Sequence, residues 1–154
     1  MTQRSIVHDT FVLERSYPAA VEGVFAAFSN PAKKRRWFAE GEELQPIEFE
    51  MDFRVGGQER VRFRSKDGKL TFTNHTVYQH ILQGQHLVFV YTMSVGETCI
   101  SSSQATVEFL PAHNGTRLIF TEQGAYFEGA DGPQMRQDGW SKLLDQLGNT
   151  LIVM

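Results

Sequence analysis

Cysteine is nearly absent from the sequence, since Cys99 is the only one among 154 residues. A single thiol can form neither an intrachain disulfide nor a thiolate metal cluster within the chain, which fits a reducing cytoplasm. The first residues, Met1–Asp9, lack the apolar stretch of a secretory signal, and no later run is long enough to span a bilayer. We therefore expect a cytoplasmic protein without membrane insertion.

An excess of charge of one sign is also lacking, because 15 basic and 18 acidic residues are interspersed and give a net charge of −3. The densest basic run, Lys33–Arg36, is brief. Such a balance offers no electrostatic footprint for nucleic acid or for an anionic bilayer, and we expect neither as a partner. We interpret Lys33–Arg36 and the alternating Arg60, Arg62 and Arg64 as solvent-facing surfaces.

Recognisable catalytic and metal-binding motifs are missing as well. No Gly-x-Ser-x-Gly elbow occurs, and the serines Ser101–Ser103 cluster on a predicted strand, which disfavours a hydrolase triad. His75 and His80 are an odd number of residues apart on one strand and should face opposite sides unless a bulge intervenes. We therefore predict no metal site and no organic cofactor, with the histidines in solvent-facing or loop positions.

What the chain does contain is enough apolar surface for one core. It has 41% hydrophobic residues and 12 phenylalanines, and each buried large apolar side chain contributes about 1.5–3 kcal/mol. A chain of 154 residues is too short for two ordinary domains. Because we find no repeat and no linker, we expect residues 1–154 to form a single ligand-binding domain.

Apolar and polar residues alternate with period two along most of the chain, from about Phe11 to Gln123. This pattern predicts a first strand at Thr10–Tyr17 and six further strands after Phe38. Between them it predicts two short helices, the first from Ala19 to a break at Asn30-Pro31 and the second at Ala32–Phe38. Short turns such as Asp67-Gly68 force neighbouring strands to be antiparallel. The predicted inward faces include Ile47, Phe49, Met51 and Phe53 in one strand and Leu70, Phe72, Asn74, Thr76 and Tyr78 in another.

One long amphipathic helix is predicted near the C-terminus, at Asp138–Leu151. Its apolar stripe has helical spacing, and a sheet with one apolar face needs such a helix as a cover. We therefore predict an α+β fold: a curved antiparallel sheet of six to seven strands, two short N-terminal helices, and one long C-terminal helix over a cavity. The stripe consists of Trp140, Leu143, Leu144, Leu147 and Leu151.

Four motifs carry a resemblance to a known family. They are Arg36-Trp37-Phe38, Asp52–Gly57, Gly115–Leu118 leading to Thr121-Glu122, and Gly139-Trp140 with Leu143-Leu144 and Leu147. In this order and spacing the chain resembles the START-like, helix-grip superfamily of the birch-pollen-allergen fold, and within it the branch of heat-shock-chaperone ATPase activator homologues. The resemblance covers roughly Phe11 to Leu151.

The resemblance implies a helix-grip fold and a cavity beneath the long helix. Members of the superfamily bind sterols, lipids, polyketides and other apolar molecules there, and some use the cavity for cyclisation or hydration chemistry. The activator proper carries an additional chaperone-binding domain, for which this chain has no room. A chaperone partner is therefore a minor alternative.

Nine residues are candidates for contact with a small apolar molecule. A pocket of this kind is mostly apolar with a few polar groups that orient the ligand. The aromatic candidates are Trp37, Phe63, Phe72, Tyr91 and Trp140, and the polar candidates are Asn74, Tyr78, Ser103 and Glu122.

Glu122 is the most informative of these candidates. It follows Leu118 and Phe120 at period two, so the alternation that buries those side chains aims the carboxylate toward the cavity mouth. Burial would raise its pKa, and it could orient a ligand or act as a general base. The alternative is a residue at the end of a strand that caps the next loop or pairs with an arginine.

Three functions are compatible with these sequence features. The first is binding of a small apolar or amphipathic molecule between the helix and the sheet. The second is a cofactor-independent enzyme of the cyclase or hydratase-isomerase kind, with Glu122 as base and Tyr91 or Tyr78 as acid. The third is an interaction module, such as a homodimer that docks through the apolar tail Leu151–Met154.

Overall fold

The protein is an α+β fold in which one antiparallel sheet is covered by three helices. The structure, a computed structural model, describes residues 6–40, 44–127 and 132–152. Within them the elements are β1 (Val7–Tyr17), α1 (Val21–Ser29), α2 (Pro31–Phe38), β2 (Leu44–Met51), β3 (Gln58–Ser65), β4 (Thr71–Leu82), β5 (His86–Val95), β6 (Thr98–Ala112), β7 (Gly115–Tyr126) and α3 (Gly132–Ile152).

The strands form a single curved sheet with the order β1-β7-β6-β5-β4-β3-β2. Every neighbouring pair is antiparallel. The chain therefore runs as a meander from β2 to β7, and β1 joins the far side of β7. This arrangement confirms the predicted helix-grip fold.

The two short helices are separated where the sequence predicts a break. The Asn30 side chain accepts a hydrogen bond from the backbone N–H of Lys33 at 3.1 Å, which caps the N-terminus of α2. Pro31 occupies the first turn, where its missing N–H has no consequence. The aromatic side chains Phe25, Phe28 and Trp37 of these helices are buried.

The long helix α3 begins at Gly132, earlier than the predicted Asp138. Trp140, Leu144 and Leu147 are buried, and the Tyr17 hydroxyl donates a hydrogen bond to the Leu144 carbonyl at 2.7 Å. A Cβ at Gly148 would lie 3.0 Å from the Tyr17 ring, so the glycine permits this close approach. The helix is thereby fixed against β1.

No helix in the described part of the chain is long and apolar enough to cross a membrane.

Two β-bulges correct the predicted faces. A register shift between Pro46 and Glu48 turns Ile47 outward, where it is 37% exposed. A second shift between Tyr78 and His80 places His80 on the same outer face as His75, contrary to the opposite faces expected without a bulge. Leu70 precedes β4 and is 48% exposed, so its predicted inward position is also wrong.

The basic segment Lys33–Arg36 is only partly the solvent-facing surface that was predicted. Lys34 is 3% exposed, and its Nζ lies 2.7 Å from Glu59 Oε1 and over the Phe38 ring. The hydroxyl of Tyr78 donates to the same Glu59 oxygen at 2.5 Å. Lys34 lies one helical turn before Trp37 and Phe38, so it shares their buried face.

The arginine stripe on β3 lies on the outer face of the sheet. Arg60 Nε is 3.2 Å and Arg62 Nη1 is 3.6 Å from the carboxylate of Glu48 on β2. Arg60 and Arg64 are exposed, whereas Arg62 is half-buried. Arg60 and Arg62 therefore form a cross-strand ion-pair cluster with Glu48 on the surface.

Candidate functional site

A cavity of about 730 Å³ lies between α3 and the inner face of strands β3 to β5. Because α3 packs against β1 at one edge of the sheet, the inner face of strands β3 to β5, toward the other edge, is left partly uncovered. The end of α2 and the start of β2 complete the mouth of the cavity through Phe38 and Leu44. The apolar floor is formed by Phe63, Phe72, Met93 and Trp140.

Five of the nine predicted contact residues line this cavity. They belong to three adjacent strands and to α3, which shows that the inward faces were assigned correctly at these positions. The five are Phe63, Phe72, Asn74, Tyr91 and Trp140.

The other four candidates lie in the packed interior and do not line the cavity. Trp37 is fully buried and donates from Nε1 to the Ala27 carbonyl at 2.8 Å. Tyr78 is bonded to Glu59, and Ser103 and Glu122 are buried on β6 and β7. Alternation identifies the inner face of a strand, but the helices decide which part of that face stays open.

The side of α3 that faces the cavity was not predicted from the sequence. Its members recur at spacings of three and four residues, one step around the helix from the buried stripe. The helical spacing of these cavity-facing residues is present in the sequence, although only the apolar stripe of α3 was identified from it. The missed residues are Met135, Arg136, Gly139, Lys142, Gln146 and Asn149 on α3, with Arg36, Ala39 and Glu40 at the end of α2.

Tyr91 is the centre of a buried hydrogen-bond network beneath the cavity. Its hydroxyl donates to Glu122 Oε1 at 2.5 Å and accepts from Trp140 Nε1 at 2.9 Å and from Arg136 Nη1 at 3.2 Å. A hydroxyl has one hydrogen and two acceptor positions, so this oxygen is fully engaged. The network therefore joins β5, β7 and α3 and fixes the Tyr91 ring in the cavity wall.

Glu122 is inward and buried in the same network, as the alternation predicts, but it does not lie at the cavity mouth. It is close to an arginine, as the alternative interpretation expects. Its Oε2 accepts from the Tyr126 hydroxyl at 2.9 Å and lies 3.8 Å from Arg136 Nη1. Arg136 Nη2 also donates to Ser101 Oγ at 2.8 Å. Ser101 is small and polar, so it leaves space for the Arg136 side chain and accepts a hydrogen bond from it.

Burial raises the pKa of Glu122 above its ordinary value, against the opposing effects of the Tyr91 hydrogen bond and the Arg136 charge. Burial and the nearby Glu122 carboxylate likewise raise the pKa of Tyr91 and of Tyr126. Both phenols are therefore neutral donors at neutral pH.

The enzyme alternative needs Glu122 and a second polar group to converge on the cavity, but Glu122 does not line it and the Tyr91 hydroxyl is engaged.

The raised pKa of Glu122 predicts a pH dependence of stability. The folded state holds the proton of Glu122 more tightly than the unfolded state does. The stability that this residue contributes is therefore fully present below about pH 4.3, its pKa in the unfolded chain, and is lost as pH rises through its pKa in the folded state. Glu122→Gln has no proton to lose, so its free energy of unfolding should rise relative to the wild type between about pH 4 and pH 8. Urea unfolding across this range measures the difference.

A matched control for this prediction is Glu14→Gln. Glu14 is half exposed on β1 and pairs with Arg117 Nη2 at 2.6 Å, so it is a carboxylate in an ordinary surface environment. Its difference from the wild type should not follow the trend of Glu122→Gln. Parallel pH profiles for wild type and Glu122→Gln would contradict the assignment.

Metal ligands do not converge in the part of the chain that the structure describes, where no group of three or more His, Cys, Asp or Glu side chains could hold an ion. The nearest approach between histidines is on the outer face of the sheet, where His80 Nε2 lies 3.0 Å from His86 Nε2. His75 bonds to Gln58 on the same face.

The tail predicted as a docking segment includes Val153 and Met154, which lie outside the described residues.

Comparison with known proteins places this geometry in a family. The family model described as "Activator of Hsp90 ATPase homolog 1-like protein" matches residues 18–151, which is most of the chain. The chain therefore belongs to the family of Activator of Hsp90 ATPase homolog 1-like proteins, as the sequence motifs predict. A comparison with curated proteins finds no significant match.

Solved structures of similar proteins share the fold. The Mll3558 protein from Rhizobium loti is 42% identical, with 95% of this chain and 99% of that chain covered and a TM-score of 0.87. A putative uncharacterized protein from Rhizobium leguminosarum is 38% identical, with 96% of each chain covered and a TM-score of 0.89. The AHSA1-like protein from Aeromonas hydrophila is 21% identical, with 92% and 90% covered and a TM-score of 0.67, and its likeness concerns the fold alone.

Proposed function

We propose that this protein binds a small apolar or amphipathic molecule in the cavity between α3 and strands β3 to β5. The observation that carries the proposal is the cavity itself, because protein interiors are normally close-packed. Its volume of about 730 Å³ is within the usual range of small-molecule sites. Aromatic and aliphatic side chains form the floor, and the polar lining residues lie on α3, at the end of α2 and at Asn74 on β4.

A glycine in the cavity wall supports the same function. Gly139 lies within α3, where glycine is less favourable than alanine by about 0.5–1 kcal/mol. It lines the cavity, and a Cβ built on it would meet no atom within 4 Å. The residue therefore keeps open space that a larger side chain would occupy, at the expense of helix stability.

Gly139→Leu tests the proposal by filling the cavity. We expect at least a tenfold loss of affinity for N-phenyl-1-naphthylamine, a neutral dye whose fluorescence increases in apolar sites, because the leucine occupies the volume of the guest. Fluorescence titration measures the affinity. The free energy of unfolding should not decrease, since leucine is a better helix former than glycine.

The control is Gly23→Leu in α1. Gly23 also lies within a helix, has no atom within 4 Å of an added Cβ, and does not line the cavity. Its dye affinity should equal that of the wild type. Equal losses in the two variants, or no saturable binding to the wild type, would count against the cavity as the binding site.

A further inference from the structure

We propose that the molecule bound in the cavity is an amphipathic acid, with its apolar body against the aromatic floor and its carboxylate held by Arg36. The inference rests on the proposed function, because it names the class of ligand for that same cavity. It is carried by three observations on hydrogen-bonding groups in the wall.

The first observation is that Arg36 has no partner among the described residues, although Lys34 and Arg35 of the same basic segment do. Lys34 pairs with Glu59, and Arg35 Nε lies 3.0 Å from Glu40 Oε2. Arg36 lines the cavity mouth at the end of α2. A guanidinium next to an apolar cavity presents a planar fork of donors that matches a carboxylate in two-point contact.

The second observation is an unused donor inside the cavity. Asn74 is 5% exposed and lines the wall, and its Oδ1 accepts from the Thr76 hydroxyl at 2.9 Å. No described residue accepts a hydrogen bond from its Nδ2. Because Asn74 lines the cavity and its Oδ1 is already used, Nδ2 is the donor that it offers to a ligand oxygen.

The third observation concerns the sign of the charge around the cavity. Arg36 and Lys142 line it together with Arg136, which pairs with the buried Glu122, and Glu40 is the one acidic residue among the described lining residues. Glu40 pairs with Arg35, which does not line the cavity. The Tyr91 hydroxyl has no hydrogen-bonding position left for a ligand. Polar contacts to the ligand therefore depend on the donors of Asn74 and Arg36, and donors favour ligands that carry acceptor oxygens and negative charge.

Three ligands, each an unbranched chain of twelve carbons with a different head group, test the inference: dodecanoate, 1-dodecanol and dodecylammonium. Each is titrated at mildly alkaline pH as a competitor of N-phenyl-1-naphthylamine, the two ions below their micelle concentrations and the alcohol below its solubility limit. The wild type should bind dodecanoate at least tenfold more tightly than dodecanol, and dodecylammonium more weakly than either. Arg36→Gln should lose most of the preference for the acid and retain its affinity for the alcohol.

Lys33→Gln is the matched control, because Lys33 is exposed on the same helix and does not line the cavity. It removes the same charge and should retain the full preference for dodecanoate. Equal binding of acid and alcohol by the wild type, or equal effects of the two variants, would overturn the inference and leave the proposed function intact. Failure of all three ligands to displace bound dye would also overturn the inference, whereas the absence of saturable dye binding to the wild type would overturn the proposed function with it.

Discussion

Replacing Lys34 with methionine is expected to destabilise the protein by about 3–5 kcal/mol, because it leaves a buried carboxylate without its counter-charge. The side chains of Lys34 and Glu59 are 3% and 0% exposed, and their charged atoms are 2.7 Å apart. Glu59 Oε2 has no hydrogen-bond partner, so the lysine and the Tyr78 hydroxyl, both bonded to Oε1, are its only described stabilising contacts. Urea unfolding at neutral pH measures the loss.

A second substitution separates the ion pair from the packing. In Lys34→Met/Glu59→Gln, the amide oxygen of the new glutamine still accepts from Tyr78 and no buried charge remains. The double variant should recover more than half of the stability lost in Lys34→Met, because replacing both members of a buried pair is far less harmful than removing one. Lys33→Met, at an exposed neighbour, should stay within about 0.5 kcal/mol of the wild type. A loss below about 1 kcal/mol in Lys34→Met would contradict this account.

The buried pair also shows which information the sequence contains and which it lacks. Glu59 precedes Val61 and Phe63 at period two, so alternation alone assigns it to the inner face of β3. Lys34 shares the buried face of α2 with Trp37 and Phe38. Each position could therefore be identified as inward, but their pairing across 25 residues depends on how α2 packs on the sheet.

The fold was predictable for a simpler reason. Helical and strand periods differ, and turns such as Asp67-Gly68 determine the direction of the next strand. Bulges were not predictable, because a one-residue shift such as that at Pro46/Glu48 depends on pairing with β3 and leaves no period of its own. Ile47 is exposed for that reason.

The candidate site was predicted in part. Phe63, Asn74 and Tyr91 line the cavity because the inner face of the sheet was assigned correctly. Trp37 and Glu122 do not, because an inward side chain lies either in the packed core or beside open space, and only the placement of the helices decides between these outcomes. Arg36 is the opposite case, since an exposed basic residue gives no sequence signal that it lies at a cavity mouth.

Trp140→Ala is expected to lower the free energy of unfolding by about 3–5 kcal/mol, the usual effect of truncating a buried aromatic side chain. The indole is 3% exposed, and its ring centroid lies 4.2 Å from that of Phe120 and 5.8 Å from that of Phe38. It therefore fixes α3 against both β7 and α2. Urea unfolding followed by far-ultraviolet circular dichroism is the suitable measurement, because the substitution also removes a fluorophore.

Trp140→Phe distinguishes ring packing from hydrogen bonding. Phenylalanine retains most of the buried surface but lacks the Nε1–H that donates to Tyr91 at 2.9 Å. We expect a loss of about 1–2 kcal/mol, comparable to one buried hydrogen bond with some lost contact. Met135→Ala serves as the control, because Met135 also lines the cavity but is 63% exposed and should contribute less than about 0.5 kcal/mol. Equal effects of Trp140→Ala and Met135→Ala would mean that α3 is held over the sheet by contacts other than this indole, and the stability of the cavity would then have to come from Leu144, Leu147 and Tyr17.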